Sequence, residues 1–332
     1  MISELRQDPV SRDWILISTI RGKRPSDFKQ TEKIKRSSKK TCPFENPTRA
    51  GGGVLIASYP KGKNWKVQVV PNKYPAVTHV HGIKEKKRAP KTKQGPYSII
   101  EGLGHHELVI TRNHDNDFDK LSKKEAATVL KSFQDRYKIF LKDVDISYVS
   151  IFHNWGPKAG ASVYHPHYQI LTLPIIPPDV SHSLEGSKRY FNRYKRCVHC
   201  DMIEWEIKTK TRVVFENKNA IVMAPFVSRT PFELRVFPKN HLPYFENTGQ
   251  TIIADVAEAL QIAIRKLNKL LEPSYNFFIH TSPIEGRENR KHYHWHIEVL
   301  PKLSHYAGFE LETGIEINPI DPDEAAELLR NT

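Results

Sequence analysis

The stretch YVSIFHNWGPKAGASVYHPHYQILTLP (residues 148–174) decides the fold, because YNFFIHTSPIEGRENRKHYHWHIEVLP (residues 275–301) repeats its plan. Each copy runs Tyr, apolar strand, loop, alternating histidines, apolar residues, Pro. Aligned at equal length, the copies stand 127 residues apart, and the same offset carries Asn113-His114 onto Asn240-His241. Between the paired pieces each half holds a helical stretch, KLSKKEAATVLKSFQDRYKIFL and TIIADVAEALQIAIRKLNKLL. Apolar residues three and four apart in the second, Ile253, Val256, Ala257, Leu260 and Ile264, describe an amphipathic helix. Strands with one long helix on one face, twice over, predict an α+β fold of two tandem repeats, each an antiparallel sheet with a packed helix. Prolines at 174, 177 and 178 place the boundary, giving domains 1–178 and 179–332.

The 332 residues suffice for one large or two medium cores, and 39% hydrophobic with 27% charged residues describe a soluble globular chain. No apolar run is long enough to span a bilayer and the first residues do not read as a signal peptide, so a cytoplasmic location is expected. Much of the net charge of +14 sits in KIKRSSKK (33–40) and KEKKRAPKTK (84–93). Neither run interleaves aromatics, so both read as solvated loops, and the charge by itself does not make a nucleic-acid binder.

Within GASVYHPHYQI (160–170), His165, His167 and Gln169 alternate and would share one face of a strand. Equal spacing matches His165 and His167 with His292 and His294, Gln169 with His296, and His114 with His241. Cys197-Val-His-Cys200, with His241 and either His292 or His294, supplies the four donors of a zinc tetrahedron. The first half offers Cys42 and His114 with His165, and Glu45 where a second cysteine would stand; a carboxylate oxygen can ligate zinc. With His165 so used, His167 is the free imidazole, competent as a nucleophile toward phosphorus. The preceding loop, NWGPKAGAS, offers backbone N–H groups, Lys158 and Ser162 to phosphate oxygens.

These residues resemble the galactose-1-phosphate uridylyltransferase family, a two-repeat branch of the histidine-triad superfamily, over essentially the whole chain. ELRQDPVSRDWILISTIRGKRPSDF, VVPNKYPAV, GASVYHPHYQI and the C-terminal HYHWHIEVLPKLSHYAGFELETGIEINPIDPDEAA carry the likeness. It implies two histidine-triad-like repeats, with His167 as the nucleophile that takes up a nucleoside monophosphate. It also implies Gln169 and Ser162 on the phosphoryl oxygens, Arg21 and Arg24 near the phosphates, Asn72 at the nucleoside and Asn154 at the phosphate site. His165, Cys42 and His114 become ligands of a structural zinc. Members are often dimers, so a homodimer is the assembly that the resemblance allows.

Two departures mark the chain: Glu45 replaces a cysteine, and TGIEINPIDPDEAAE lacks the glutamine that better-known uridylyltransferases use on the hexose. Cys197 and Cys200 are like those of the branch that includes ADP-glucose phosphorylase. In the other branch a carboxylate and histidines bind the second metal, for which His280, His294 and His296 would be the candidates; Cys197 and Cys200 favour the former branch. The expected activity is UDP-glucose:hexose-1-phosphate uridylyl transfer through a nucleotidyl-histidine, in galactose metabolism, with a nucleotide sugar and a sugar 1-phosphate as partners. The alternative is an ADP-glucose or dinucleoside polyphosphate phosphorylase, and a third reading is a non-catalytic nucleotide or nucleic-acid binder. The second half is expected to be structural.

Overall fold

The computed structural model describes residues 3–21, 28, 34–79, 91–288 and 290–332. Arg24 and parts of both basic runs lie outside the described residues. Ten strands form the large sheet: β1 (Ala57–Tyr59), β2 (Val67–Pro71), β3 (His106–Thr111), β4 (Tyr148–Trp155), β5 (His167–Leu173), β6 (Val213–Glu216), β7 (Ala220–Met223), β8 (Leu234–Pro238), β9 (Tyr275–His280) and β10 (His296–Pro301). Their order is β6-β7-β8-β10-β9-β4-β5-β3-β2-β1, antiparallel at every step. The order reads the same from both edges when β1 to β5 are exchanged for β6 to β10. The duplicated halves therefore meet at β4 and β9, where Ile151 pairs with Ile279 and Asn154 with Asn276.

The two expected helices are α1 (Lys123–Phe140) and α4 (Gln250–Leu271); between them in the chain lie α2 (Pro178–Tyr194) and α3 (Val198–Thr209), and α5 (Pro322–Arg330) follows. Ser122 and Glu125 close a capping box at the start of α1, each satisfying a backbone N–H of the other. The apolar stripe of α4 is buried as its spacing requires, with Ile253, Val256, Ala257, Leu260 and Ile264 inaccessible to solvent. α1 and α4 pack on each other and on one face of the sheet, where Val149, Ile151, Tyr168, Ile170, Phe277 and Ile297 join Leu130, Phe133 and Leu260 in one core. Strand alternation sends the neighbours of those residues, His167 and Gln169 among them, to the opposite face.

The N-terminal segment crosses to the second half. Glu4–Gln7 and Trp14–Ile17 pair antiparallel, and Ile317–Asn318 adds in parallel to Trp14–Ile17. Arg6 fixes the junction by donating to Asp321 at 2.7 Å. The turn between the first two strands lies against α2 so closely that a Cβ at Gly186 would stand 1.5 Å from the Val10 carbonyl oxygen. Only glycine admits that approach.

The structure corrects the equal spacing of the repeat. His165 donates Nε2–H to the Thr111 carbonyl at 2.7 Å, and it is His294 that does so to the Pro238 carbonyl, at 3.0 Å. His167 donates Nδ1–H to the carbonyl two residues before it, as His296 does. The counterparts of His165, His167 and Gln169 are thus His294, His296 and Glu298. A longer loop before β10 than before β5 absorbs the difference, which equal-length alignment hides.

Candidate active site and metal groups

β5 begins at His167, so this side chain sits at the mouth of the sheet, packed against Phe44 with ring centroids 4.8 Å apart. Its Nδ1–H is held by the His165 carbonyl at 3.0 Å, and among the described residues no hydrogen bond engages the Nε2 lone pair. Burial pushes its pKa down from 6.5 to about 4, so the ring is neutral at physiological pH. The cavity before it measures about 830 Å³ and is lined by Ser162, Gln169, Asn72 and Phe44, with Lys39, Lys40, Lys73 and Arg49 supplying positive charge. The last two lysines of KIKRSSKK therefore belong to the site, although their run reads as solvated. The signal was their position just before Cys42.

The other expected contacts divide. Gly156, at φ +81° and with no room for a Cβ beside Ser274, opens the turn that returns the chain from β4 toward Ser162. Lys158 is exposed on that turn and does not line the cavity. Asn154 lies on β4 and accepts a hydrogen bond from Asn276 at 2.7 Å, outside the cavity lining. Arg21 is exposed at the end of the N-terminal sheet, also outside it. His106 on β3 was not singled out by its sequence, yet it contacts Gln169 and Asn72 together.

Beside His167, donor atoms of Cys42, His114 and His165 lie within 4.8 Å of one another. Cys42 Sγ is 3.6 Å from His165 Nδ1, and Glu45 Oε1 is 3.1 Å from His114 Nδ1 and 3.6 Å from His165 Nδ1. Both imidazoles give Nε2–H to backbone carbonyls, of Ser37 and Thr111, so both Nδ1 lone pairs face the thiol and the carboxylate. The His114 Nδ1 is buried with no hydrogen bond among the described residues. Two converging lone pairs, a sulfur and a carboxylate fit a cation: the two spacings of 3.6 Å fall within the edges of about 3.3–3.8 Å of a zinc tetrahedron, and the 3.1 Å between Glu45 and His114 is slightly shorter.

The equivalent group in the second half is Cys197, Cys200, His241 and His294. Cys200 Sγ stands 3.3 Å from His241 Nδ1 and 3.6 Å from His294 Nδ1. Cys197 occupies the position just before the first residue of α3, without a side-chain capping bond, and Cys200 lies in the first turn. Cys200 pulls the Cys197 thiol well below its ordinary range through their hydrogen bond. Of the two alternatives for the fourth donor the structure brings in His294, and His292 stays outside the quartet, because the Pro238 carbonyl anchors the His294 ring in place. A third group, His280, His296 and Glu298, occupies the place in the second half that corresponds to the His167 site.

A family model described as "Domain of unknown function (DUF4921)" matches residues 57–331. An ADP-glucose phosphorylase of Arabidopsis thaliana is 33% identical, covering 98% of this chain and 92% of its own length. A galactose-1-phosphate uridylyltransferase of Thermotoga maritima is 26% identical, covering 99% and 98%. Among solved structures, an ADP-glucose phosphorylase from Arabidopsis thaliana with bound ADP-glucose superposes with a TM-score of 0.82 at 30% identity, over 100% of this chain and 99% of that one. A uridylyltransferase gives 0.75 at 27%, over 99% and 98%.

Relatives matched from end to end, on a fold that presents a neutral, unengaged imidazole to a cationic cavity, make this protein an enzyme of the nucleotidyltransferase class. Within that class the chain belongs to the galactose-1-phosphate uridylyltransferase family. Among the described residues no helix is long and apolar enough to cross a membrane.

Proposed function

We propose that the protein transfers a nucleotidyl group from a nucleotide sugar through a covalent bond to His167 Nε2. The observation that carries this reading is the His167 ring itself, neutral by burial and fixed by the His165 carbonyl so that Nε2 alone is free. The Nε2 lone pair attacks the α-phosphorus, the bond from phosphorus to the bridging oxygen breaks, and the sugar 1-phosphate leaves with that electron pair. Nδ1 keeps its proton throughout, and the His165 carbonyl stabilises the charge that develops on the ring. An oxygen of the acceptor phosphate then attacks the same phosphorus, the P–N bond breaks and the neutral imidazole returns.

Ser162 and Gln169 serve the phosphoryl oxygens, and Lys39, Lys40 and Arg49 balance the phosphate charge. Arg21, Arg24 and Asn154 remain proposals from the family likeness, as does a homodimer, and Lys158 remains one from its place in the loop before His165. Cys42, Glu45, His114 and His165 would hold one zinc, and Cys197, Cys200, His241 and His294 a second. Zinc would supply structural cross-linking there, locking the backbone that bears His167. The second half stays out of the chemistry: His296 Nε2 faces the Glu298 carboxylate at 3.4 Å, and an anionic phosphoryl group would meet that charge.

The leading reading of the substrates is exchange between UDP-glucose and a hexose 1-phosphate, after the uridylyltransferase relatives. The second reading, ADP-glucose with phosphate as acceptor, is favoured by the Arabidopsis likeness. Intact-protein mass after brief incubation with UDP-glucose or ADP-glucose tests both. A uridylyl adduct in wild type and none in His167→Ala supports the first; an adenylyl adduct supports the second. An adduct that persists in His167→Ala removes His167 from its role.

A further inference from the structure

We infer that His106 is a positioning residue that sets which end of the Gln169 amide faces the phosphoryl group. The inference rests on the reading of His167 as nucleophile and deepens it. Ala76 donates its backbone N–H to His106 Nδ1 at 3.1 Å. A backbone N–H is always a donor, so Nδ1 is an acceptor and the neutral ring carries its proton on Nε2. That Nε2–H points at Gln169 across 2.9 Å, and only the amide oxygen can receive it. The Gln169 NH2 is thereby turned away from His106, toward the cavity that Gln169 lines with His167.

Isolated, a glutamine presents oxygen or nitrogen with little preference, and half of those orientations would aim an acceptor at phosphoryl oxygens. The chain from Ala76 N–H through His106 to the Gln169 oxygen removes that choice before substrate arrives. Asn72 holds the ring from another side. Its Nδ2 lies 3.2 Å from Nε2 and 3.5 Å from Nδ1, near enough to equidistant that the amide sits over the ring face, and its backbone N–H donates to the His106 carbonyl at 2.8 Å. Nucleophile and orienting relay thus come from neighbouring strands, β5 and β3, of one rigid sheet.

Three variants separate orientation from structure: His106→Gln retains an N–H donor, His106→Phe has neither donor nor acceptor, and His106→Glu puts an acceptor where the donor stood. The readouts are the single-turnover rate of nucleotidyl-protein formation by intact mass with UDP-glucose and with ADP-glucose, steady-state kcat and KM, and Tm. We expect Phe and Glu to lower the rate by about 10²-fold, the size seen when one such donor is lost, with KM for the donor changed less than threefold. His106→Gln is expected within about fivefold of wild type. Labelling of His106→Glu at the wild-type rate overturns the inference, and so does an equal loss in all three variants that follows a common fall in Tm. If wild type takes up no nucleotidyl group from either donor, the reading of His167 fails first and this inference with it; wild-type labelling with unaffected variants overturns the inference alone.

Discussion

The backbone carbonyl of His165 accepts the Nδ1–H of His167 at 3.0 Å, while the His165 side chain points with Cys42 and Glu45 into the candidate metal group. One residue therefore couples the two parts of the site. Whatever fixes the His165 ring fixes the carbonyl that selects the tautomer of His167, the proposed nucleophile.

The depressed pKa of His167 predicts an unusual pH profile. Burial lowers it from 6.5 to about 4, so adduct formation by the free enzyme should stay level as pH falls from 8 to about 5 and decline only nearer 4. Stability behaves differently. Below 6.5 the unfolded chain takes up a proton on this residue that the folded protein refuses until about 4, so the contribution of His167 to stability falls with pH across that window. Single-turnover rates and denaturant midpoints over pH 4–8 check both, and an acid limb near 6.5 would remove the burial argument.

Metal content should follow the two donor sets. Wild-type protein purified without chelator is expected to hold about two zinc ions per chain by elemental analysis. Cys200→Ala should lose one and lower Tm by about 5 °C or more, because a closed four-donor site contributes folding energy directly. Glu45→Cys should bind its zinc more tightly than wild type under competition by a chelator, since thiolate is the stronger donor. Equal retention in both proteins would exclude Glu45 as a ligand.

Gly186→Ala is expected to destabilise although it lies inside α2. Alanine gains about 1 kcal/mol in helix propensity, but its Cβ would be 1.5 Å from the Val10 carbonyl oxygen, and the backbone shift needed costs more than that. Urea unfolding should show a net loss of about 2 kcal/mol or more, with the N-terminal turn becoming accessible to protease. A stabilised variant would contradict the packing described.

Glu107 is buried next to His106 and receives two hydrogen bonds from Arg136, at 2.6 and 2.7 Å. Arg136→Ala leaves that carboxylate unpaired and should cost about 3–5 kcal/mol, whereas the double variant Glu107→Leu, Arg136→Met should recover most of it. Denaturant midpoints of the three proteins decide. A single variant as stable as wild type would mean that water reaches Glu107.

Much of the molecule was legible in its residues. The two copies of the strand, loop and histidine plan implied the duplicated α+β fold, and the spacing of Ile253, Val256, Leu260 and Ile264 gave the buried face of α4. Alternation placed His167 and Gln169 on one face, and Cys197-x-x-Cys200 announced a donor set. These are local properties, set by the periods of strand and helix, which a sequence carries in full.

What the sequence could not carry was register across distance. Equal spacing matched His292 to His165, but hydrogen bonds to the carbonyls of Thr111 and Pro238 show that His294 is the counterpart. The same correction matches Glu298 with Gln169, giving that half a carboxylate where the first has an amide. His106 had no motif to mark it, since its partners come from two other segments, Asn72 and Ala76 from one and Gln169 from the other. The residue types determined which chemistry the chain could hold. Which donors share a site, and which way Gln169 faces, was decided only when strand pairing fixed distances between segments far apart in the chain.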